Sequence, residues 1–423
     1  SWYVYGENLL TGKQTISDFL IPYRYSFFLF VFPSTALFNF LTKFIPSYTL
    51  QMSSIDPILR PGAQWNILVV PGLLFDFLVK LVLIMSDTLI AYLLYKLVAK
   101  YTNKNELAVS VAATWFLNPL TIWISSVWGT FDTLPALFTL SSLYLVLNEK
   151  SEFSGLSLAA AIASKYYAIV LVIPLVILAW KHEGKNGLLK VLTSAGLSSL
   201  ILFSPSMESV LTGFVNVATS TSTTGLHYSG LSFWTALTLF SSNFNQTIIS
   251  SLMIAVSLTI FYFWMWKRRE IEHDLFHSTL IFCLPILLLL LFYGFIGENF
   301  FMWVLPFLTI LSLRSFWIRS VYWILSLIVL ISSMTDSLLP YYMLPISPWI
   351  GTWLVHIVNI VYSYKVAPNG VINQGLPLGK IALSILGILT SALITFMVIH
   401  VFRDFDRTNE NQNRWSRYPD PAQ

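Results

Sequence analysis

The chain has 423 residues, 56% of them hydrophobic and only 10% charged, with a mean hydropathy of +0.70. An ordinary soluble domain carries about 25% charged residues, so composition excludes that class and points to a multi-span membrane protein. The net charge of +4 is too small to argue for nucleic acid, and the single cysteine, Cys283, excludes an internal disulfide and a thiolate metal cluster.

The opening "SWYVYGENLLTGKQTISDF" has neither the basic nor the apolar region of a signal peptide and is too polar for a membrane helix. Residues 1–24 therefore read as a polar loop, as if a first span lay upstream. Apolar stretches of roughly 20 residues are the unit expected of a membrane helix. They fall at about 25–42, 69–98, 107–126, 133–148, 154–180, 188–204, 247–266, 276–295, 300–313, 316–333, 349–364 and 378–402. Pro33 interrupts the first, which either crosses or lies along the interface. Lys165, in "ASKYYA", divides 154–180 into two short segments meeting at a break. The expectation is an all-α polytopic transmembrane bundle of ten to thirteen spans in a single domain. Its core covers 25–315, further spans follow to 402, and a polar tail occupies 403–423.

Basic residues orient the bundle. One set of loops carries Lys96, Lys100, Lys104, Lys150, Lys181, Lys185, Lys190, Lys267, Arg268, Arg269, Arg314 and Arg319, whereas the opposite loops carry only Lys165. The first set is expected on the cytoplasmic side. Asp132, Glu208, His227, Glu298 and Asp336 then face outside or a lumen, as does the sequon Asn245–Gln246–Thr247.

Charges within the apolar stretches need partners. Asp76, Lys80 and Asp87 fall on one face of a helix and read as a self-neutralising group, with a functional role for Asp87 as the alternative. Asp132 and Lys165 each lack a local partner and are expected at the outer ends of neighbouring spans, where they can meet. They make either a salt bridge or a wet site in which Lys165 holds a phosphate and Asp132 positions a hydroxyl or the lysine. Trp123, Trp128 and Trp303 read as interface markers rather than a sugar platform.

Five motifs in order carry a family resemblance. "KLVLIMSDTLIAYLLYKL" places Lys80 seven residues before Asp87, and "WFLNPLTIWISSVWGTFD" joins Asn-Pro to Gly-x-x-Asp. "ASKYYAIVLVIPLVIL", "HYSGLSFW" and "ENFFMWVLPFL" follow. Over about residues 1–315 this pattern resembles the membrane glycosyltransferases of the C superfamily, nearest the GPI mannosyltransferase I type and its prokaryotic relatives. The resemblance implies an inverting transfer of a sugar, with mannose favoured, from a polyprenyl-phosphate donor. The acceptor is lipid-linked or a protein, and the reaction takes place on the outer or luminal face of a plasma or endoplasmic reticulum membrane. A base would deprotonate the acceptor, and cations would stabilise the departing phosphate.

The family's acidic motif follows the first span, which here would fall before Ser1; it lies either upstream or nowhere. Within the chain Glu7 and Asp18 are the acids left for catalysis, and each also reads as a solvated loop residue. Arg24 in "PYRYSF" is a donor-phosphate contact or a headgroup snorkel. His227 and Tyr228, in a long Ser/Thr/Gly-rich loop, are candidates for substrate contact, and Glu298 for sugar binding or simple capping. No cofactor or resident metal is expected, and a divalent ion is left undetermined. Expected partners are membrane lipids, the lipid-linked donor and other membrane subunits. Two rival readings stand beside the enzyme: a non-catalytic subunit of a larger membrane complex and, with no clear inverted repeat for it, a lipid flippase or transporter.

Overall fold

The computed structural model describes residues 6–8, 10–13, 31–44, 73–203, 231–237, 246–267, 274–293, 297–336 and 378–415. Every regular element among them is a helix, as the composition and periodicity demand. The α-helices are α1 (Phe32–Leu41), α2 (Leu73–Thr102), α3 (Asn105–Phe116), α4 (Pro119–Ile122), α5 (Thr133–Val146), α6 (Ser151–Ser164) and α7 (Val172–Phe203). They continue with α8 (Phe233–Leu237), α9 (Gln246–Lys267), α10 (Leu275–Phe292), α11 (Leu305–Leu311), α12 (Phe316–Asp336) and α13 (Leu378–Trp415). A π-helical turn at Trp123–Trp128 and 3-10 turns at Tyr166–Leu171 and Glu298–Trp303 interrupt the series.

Five helices among the described residues are long and apolar enough to cross a membrane, or six when the pair Asn105–Phe116 and Pro119–Val127, bent by 45°, counts as one. That number takes Tyr166–Phe203 as a single span of 38 residues. At about 1.5 Å per residue such a helix would far exceed a hydrocarbon core of about 30 Å. Gly184, at φ 64 and ψ −146, divides it. Beyond that hinge a Cβ on Gly187 would lie 2.4 Å from the Ala179 carbonyl oxygen, so the second limb folds back on the first. The break at Gly184 thus separates the limb that ends near residue 180 from 188–204. The bond between Ser151 and Glu183 shows that 154–180 itself turns back at Lys165. Among the described residues α1 covers ten positions of the stretch 25–42, and Pro33 sits in its first turn, where a missing N–H is harmless. The helix α13 runs to Trp415, well into the segment expected to be a polar tail. Segment 349–364 lies outside the described residues.

Exposure fits a lipid solvent. Leu252, Ile260, Phe263 and Trp266 stand 59–69% exposed along α9, and Ile201 on α7 reaches 73%. In water such a face would be an interaction patch or an aggregation hazard; in a bilayer it is the ordinary outer surface. The protein is accordingly a multi-helix assembly of the membrane-spanning kind. Cys283 is wholly buried in α10, where it packs as a small apolar side chain.

The expected cytoplasmic loops gather at one end of the bundle. Lys100 donates to Asn148 (2.6 Å) and the Tyr101 hydroxyl to the Leu147 carbonyl (2.8 Å), tying the α2–α3 turn to the α5–α6 turn. Ser151 bonds Glu183, and Lys190 pairs with Glu183 (2.9 Å) and Glu152 (3.5 Å), which brings in the hinge of α7. Asp274 bonds His277 (3.1 Å), and Arg314 lies over the Phe276 ring. Burial works against ionising Asp274, but the His277 and Phe276 N–H bonds and the nearby Arg314 outweigh it and hold the carboxyl below its ordinary value. Asp132, before α5, and Lys165, after α6, lie at the opposite ends of these helices.

Candidate functional site

The site begins with a broken helix. Asn118 ends α3 and caps α4: its Oδ1 accepts the Leu120 N–H (2.8 Å), and Pro119 occupies the first helical position. Its Nδ2 donates to the Tyr322 hydroxyl (2.7 Å) and to Ser326 Oγ (3.0 Å), fastening the break to α12. The π-helical turn that follows stops at Gly129, whose φ of 76 only glycine adopts without strain. A Cβ there would also meet Lys80 Cε at 3.3 Å, so the glycine admits the lysine stem of α2. Non-helical backbone of this sort survives inside a membrane only where protein or enclosed water covers it.

Asp132 follows that turn. It precedes α5 but does not cap it. Its carboxylate instead accepts from Lys165 Nζ, from Asn299 Nδ2 and from Trp303 Nε1 (2.8 Å). Asp132 is 0% exposed and Lys165 6%. Lys165 has extended backbone (φ −161, ψ 128) between α6 and the 3-10 turn, which is the break expected there. Its ammonium lies 4.7 Å from the Phe300 ring centre, 5.0 Å from Trp303 and 5.5 Å from Phe131. Trp303 stacks on Tyr167 (3.9 Å) and on Phe300 (4.3 Å). An ion pair removed from water is tolerable only with its remaining hydrogen bonds satisfied, and here three donors and three aromatic faces do that.

Asp132 and Lys165 therefore meet as anticipated, but inside the protein and not at a wet helix mouth. A carboxylate held by three donors suits an anchoring role. The interface reading of Trp123 and Trp303 is corrected as well. Trp303 is committed to Asp132, and Trp123, 6% exposed, donates its indole N–H to Ser333 Oγ (2.7 Å). Among the three charges of α2, Asp76 and Lys80 pair at 2.7 Å, while Asp87 lies two turns further on, beyond reach, and is 4% exposed.

Glu7 lies in helical backbone at residues 6–8. Gly6 there fits against Thr35 of α1, and α1 in turn reaches α2 through Ser34 Oγ and the Leu78 carbonyl (3.2 Å). The Glu7 carboxylate is partly buried, and its Oε2 has no hydrogen-bond partner among the described residues. Val31, Phe38, Phe75, Leu78 and Phe131 form one apolar cluster, which sets this N-terminal layer beside the Asp132 turn. Glu298 opens the 3-10 turn that carries Asn299 and Trp303. The Glu298 and Trp128 side chains, and Asp18, Arg24, His227 and Tyr228 altogether, lie outside the described residues. No group of three or more His, Cys, Asp or Glu residues suited to a metal ion occurs among the described residues.

Phe300 and Tyr167 were missed as members of the site by reasoning from sequence, which had weighed Asn299 beside Glu298. The available signal was their adjacency to motif residues: "ENFFMW" and "SKYY" each place aromatics next to a polar group within an apolar stretch. Compared with known protein families and with curated proteins, the chain matches no family model and no curated sequence.

Proposed function

We propose that the protein is a membrane glycosyltransferase of the C-superfamily type, moving a sugar from a polyprenyl-phosphate donor to a lipid-linked or protein acceptor. Mannose is the favoured sugar, and the outer or luminal face of a plasma or endoplasmic reticulum membrane the favoured place. One observation carries the reading. Three of the motifs behind the resemblance, around Gly129–Asp132, Ser164–Tyr167 and Glu298–Trp303, are far apart in the chain and meet at Asp132, at the end of the bundle away from the basic loops.

In the proposed reaction a base takes the acceptor hydroxyl proton as that oxygen attacks the anomeric carbon. The bond from this carbon to the donor phosphate breaks, its electron pair leaves with the phosphate, and the configuration inverts. Glu7 is the base we assign within this chain, because its Oε2 has no competing hydrogen bond among the described residues and its segment packs beside the Asp132 turn. Lys165 is buried against Asp132, so the phosphate falls to Lys80 at the Gly129 turn, whose ion pair with Asp76 is partly exposed, together with Arg24. Asp132, Asn299 and Trp303 hold the walls of the site in register.

The saturation of Asp132 favours a second reading, a non-catalytic subunit in which the same cluster is purely architectural. Incubating the full chain in membranes with radiolabelled polyprenyl-phosphate mannose separates the two. Enzymatic transfer gives labelled lipid or glycoprotein that falls at least tenfold in Glu7→Gln. Absence of label in any acceptor fraction, from a folded protein, leaves the subunit reading in its place.

A further inference from the structure

The first limb of α7 and the helix α9 run side by side toward the basic end of the bundle. The Tyr262 hydroxyl of α9 donates to the Val170 carbonyl just before α7 (2.6 Å). Further along, the Trp180 and Trp266 rings meet edge to face, with centres 6.5 Å apart. Trp180 is 44% and Trp266 69% exposed, so the pair stands on the surface that lipid covers. A lysine follows each indole, Lys181 on α7 and Lys267 on α9. Because the two rings meet, these lysines leave the bundle at one depth. Lys267 is exposed, and its Nζ lies 4.7 Å from the Phe263 ring centre.

Single aromatic residues are the ordinary mark of a membrane boundary. α2 shows that form: Lys96 lies 5.4 Å from the ring centre of the exposed Tyr92, which no ring of a neighbouring helix meets among the described residues. At α7 and α9 two helices contribute, and their surface has the polarity of a phospholipid. Ile173, Ile260 and Phe263, 43–64% exposed, lie nearer the bilayer centre, the indole pair comes next and the ammonium groups last. The described acids nearest in sequence do not neutralise these lysines: Glu183 is held by Ser151 and Lys190, and Asp274 by His277. We propose that Trp180, Lys181, Trp266 and Lys267 form a docking site for an anionic phospholipid in the leaflet at the basic end.

Charge selects the occupant. Lysines close to an anionic leaflet are attracted to its headgroups, and a zwitterionic lipid gains less because its own ammonium already answers its phosphate. The indoles supply rigid amphipathic rings at the level where chains give way to ester oxygens. The lipid chains run along the exposed apolar side chains of both helices. α9 is the least buried of the five long apolar helices, so a lipid bridging it to α7 adds contact that the protein alone does not provide.

Native mass spectrometry of the full chain tests this, after release from nanodiscs of equal parts phosphatidylglycerol and phosphatidylcholine. Phosphatidylglycerol is expected to stay on the wild type in preference to phosphatidylcholine. Its retention should fall roughly fivefold for each lysine removed, in Lys181→Gln, in Lys267→Gln and in the two combined. Lys96→Gln should retain it as the wild type does. Equal retention of the two lipids overturns the site, as does a preference that survives both substitutions. A fall as large in Lys96→Gln overturns it too, because the attraction then belongs to the whole basic surface. Millimolar glycerol phosphate should leave the lipid in place; displacement would make this a site for soluble phosphate and not for a lipid. Should the combined variant fail to fold, Lys267→Gln, at an exposed position, decides alone. None of these readouts involves sugar transfer.

Discussion

Replacing Lys165 with alanine is expected to destabilise the protein by about 3–5 kcal/mol, the usual cost of stranding one member of a buried ion pair. The substitution leaves the Asp132 carboxylate, 0% exposed, with only Asn299 and Trp303 as donors and no counter-charge. It also empties the space ringed by Phe131, Phe300 and Trp303. Adding Asp132→Asn should recover much of the loss, since the amide oxygen still accepts from Trp303 and no charge is left buried. Unfolding of the two single variants and the double variant in detergent checks this by a thermodynamic cycle. Additive losses would mean that the two side chains do not interact, and a Lys165→Ala protein melting with the wild type would remove the pair from the core. A consequence follows for activity measurements. Loss of transfer in Lys165→Ala mixes folding with binding, so the donor-phosphate question is better put to Lys80.

Asn118→Ala is expected to cost about 2–3 kcal/mol. Roughly 1 kcal/mol of that is the lost helix cap at Leu120, and the remainder comes from leaving the Tyr322 and Ser326 hydroxyls short of a buried partner. Asn118→Ser should restore the cap but not the reach to α12, and so rescue about half. Thermal unfolding separates the three proteins. Equal melts for Ala and Ser would show that the cap contributes nothing and that the whole effect lies in the contact with α12. An Asn118→Ala protein as stable as the wild type would contradict both parts. In functional terms the Asn-Pro motif is an architectural device: it stops α3, restarts the chain at 45° and delivers the turn that ends at Asp132.

Much of this arrangement was legible in the chain because local rules write it there. Apolar runs of membrane length gave the long helices. The distribution of lysine and arginine separated the two ends, and a charge in the middle of "ASKYYA" marked a real break. The pairing of Asp132 with Lys165 was legible by elimination, since neither had a nearby partner. Its depth was not. Whether a charge at a helix end faces water depends on what packs over it, and here the cover is the 3-10 turn at Glu298–Trp303, more than 130 residues further along the chain. The α2 charges failed for a simpler reason. Helical spacing told correctly that Asp76, Lys80 and Asp87 share a face, but seven residues are about 10 Å of helix, too long for Lys80 to serve both acids. Trp123 and Trp303 were misread because composition cannot distinguish an indole at a headgroup from one bonded to a buried serine or carboxylate.

The central claim is that the motifs meeting at Asp132 bound the place where a polyprenyl-phosphate sugar sits. A photoactivatable polyprenyl-phosphate mannose, cross-linked to the full chain in membranes and mapped by peptide sequencing, tests it most directly. Labels should concentrate at residues 129–132, 164–167 and 298–303 and at Lys80, and unlabelled donor should compete them away. Competable labelling confined to the opposite end, at the turns that join Lys100 to Asn148 and Ser151 to Glu183, would contradict the account.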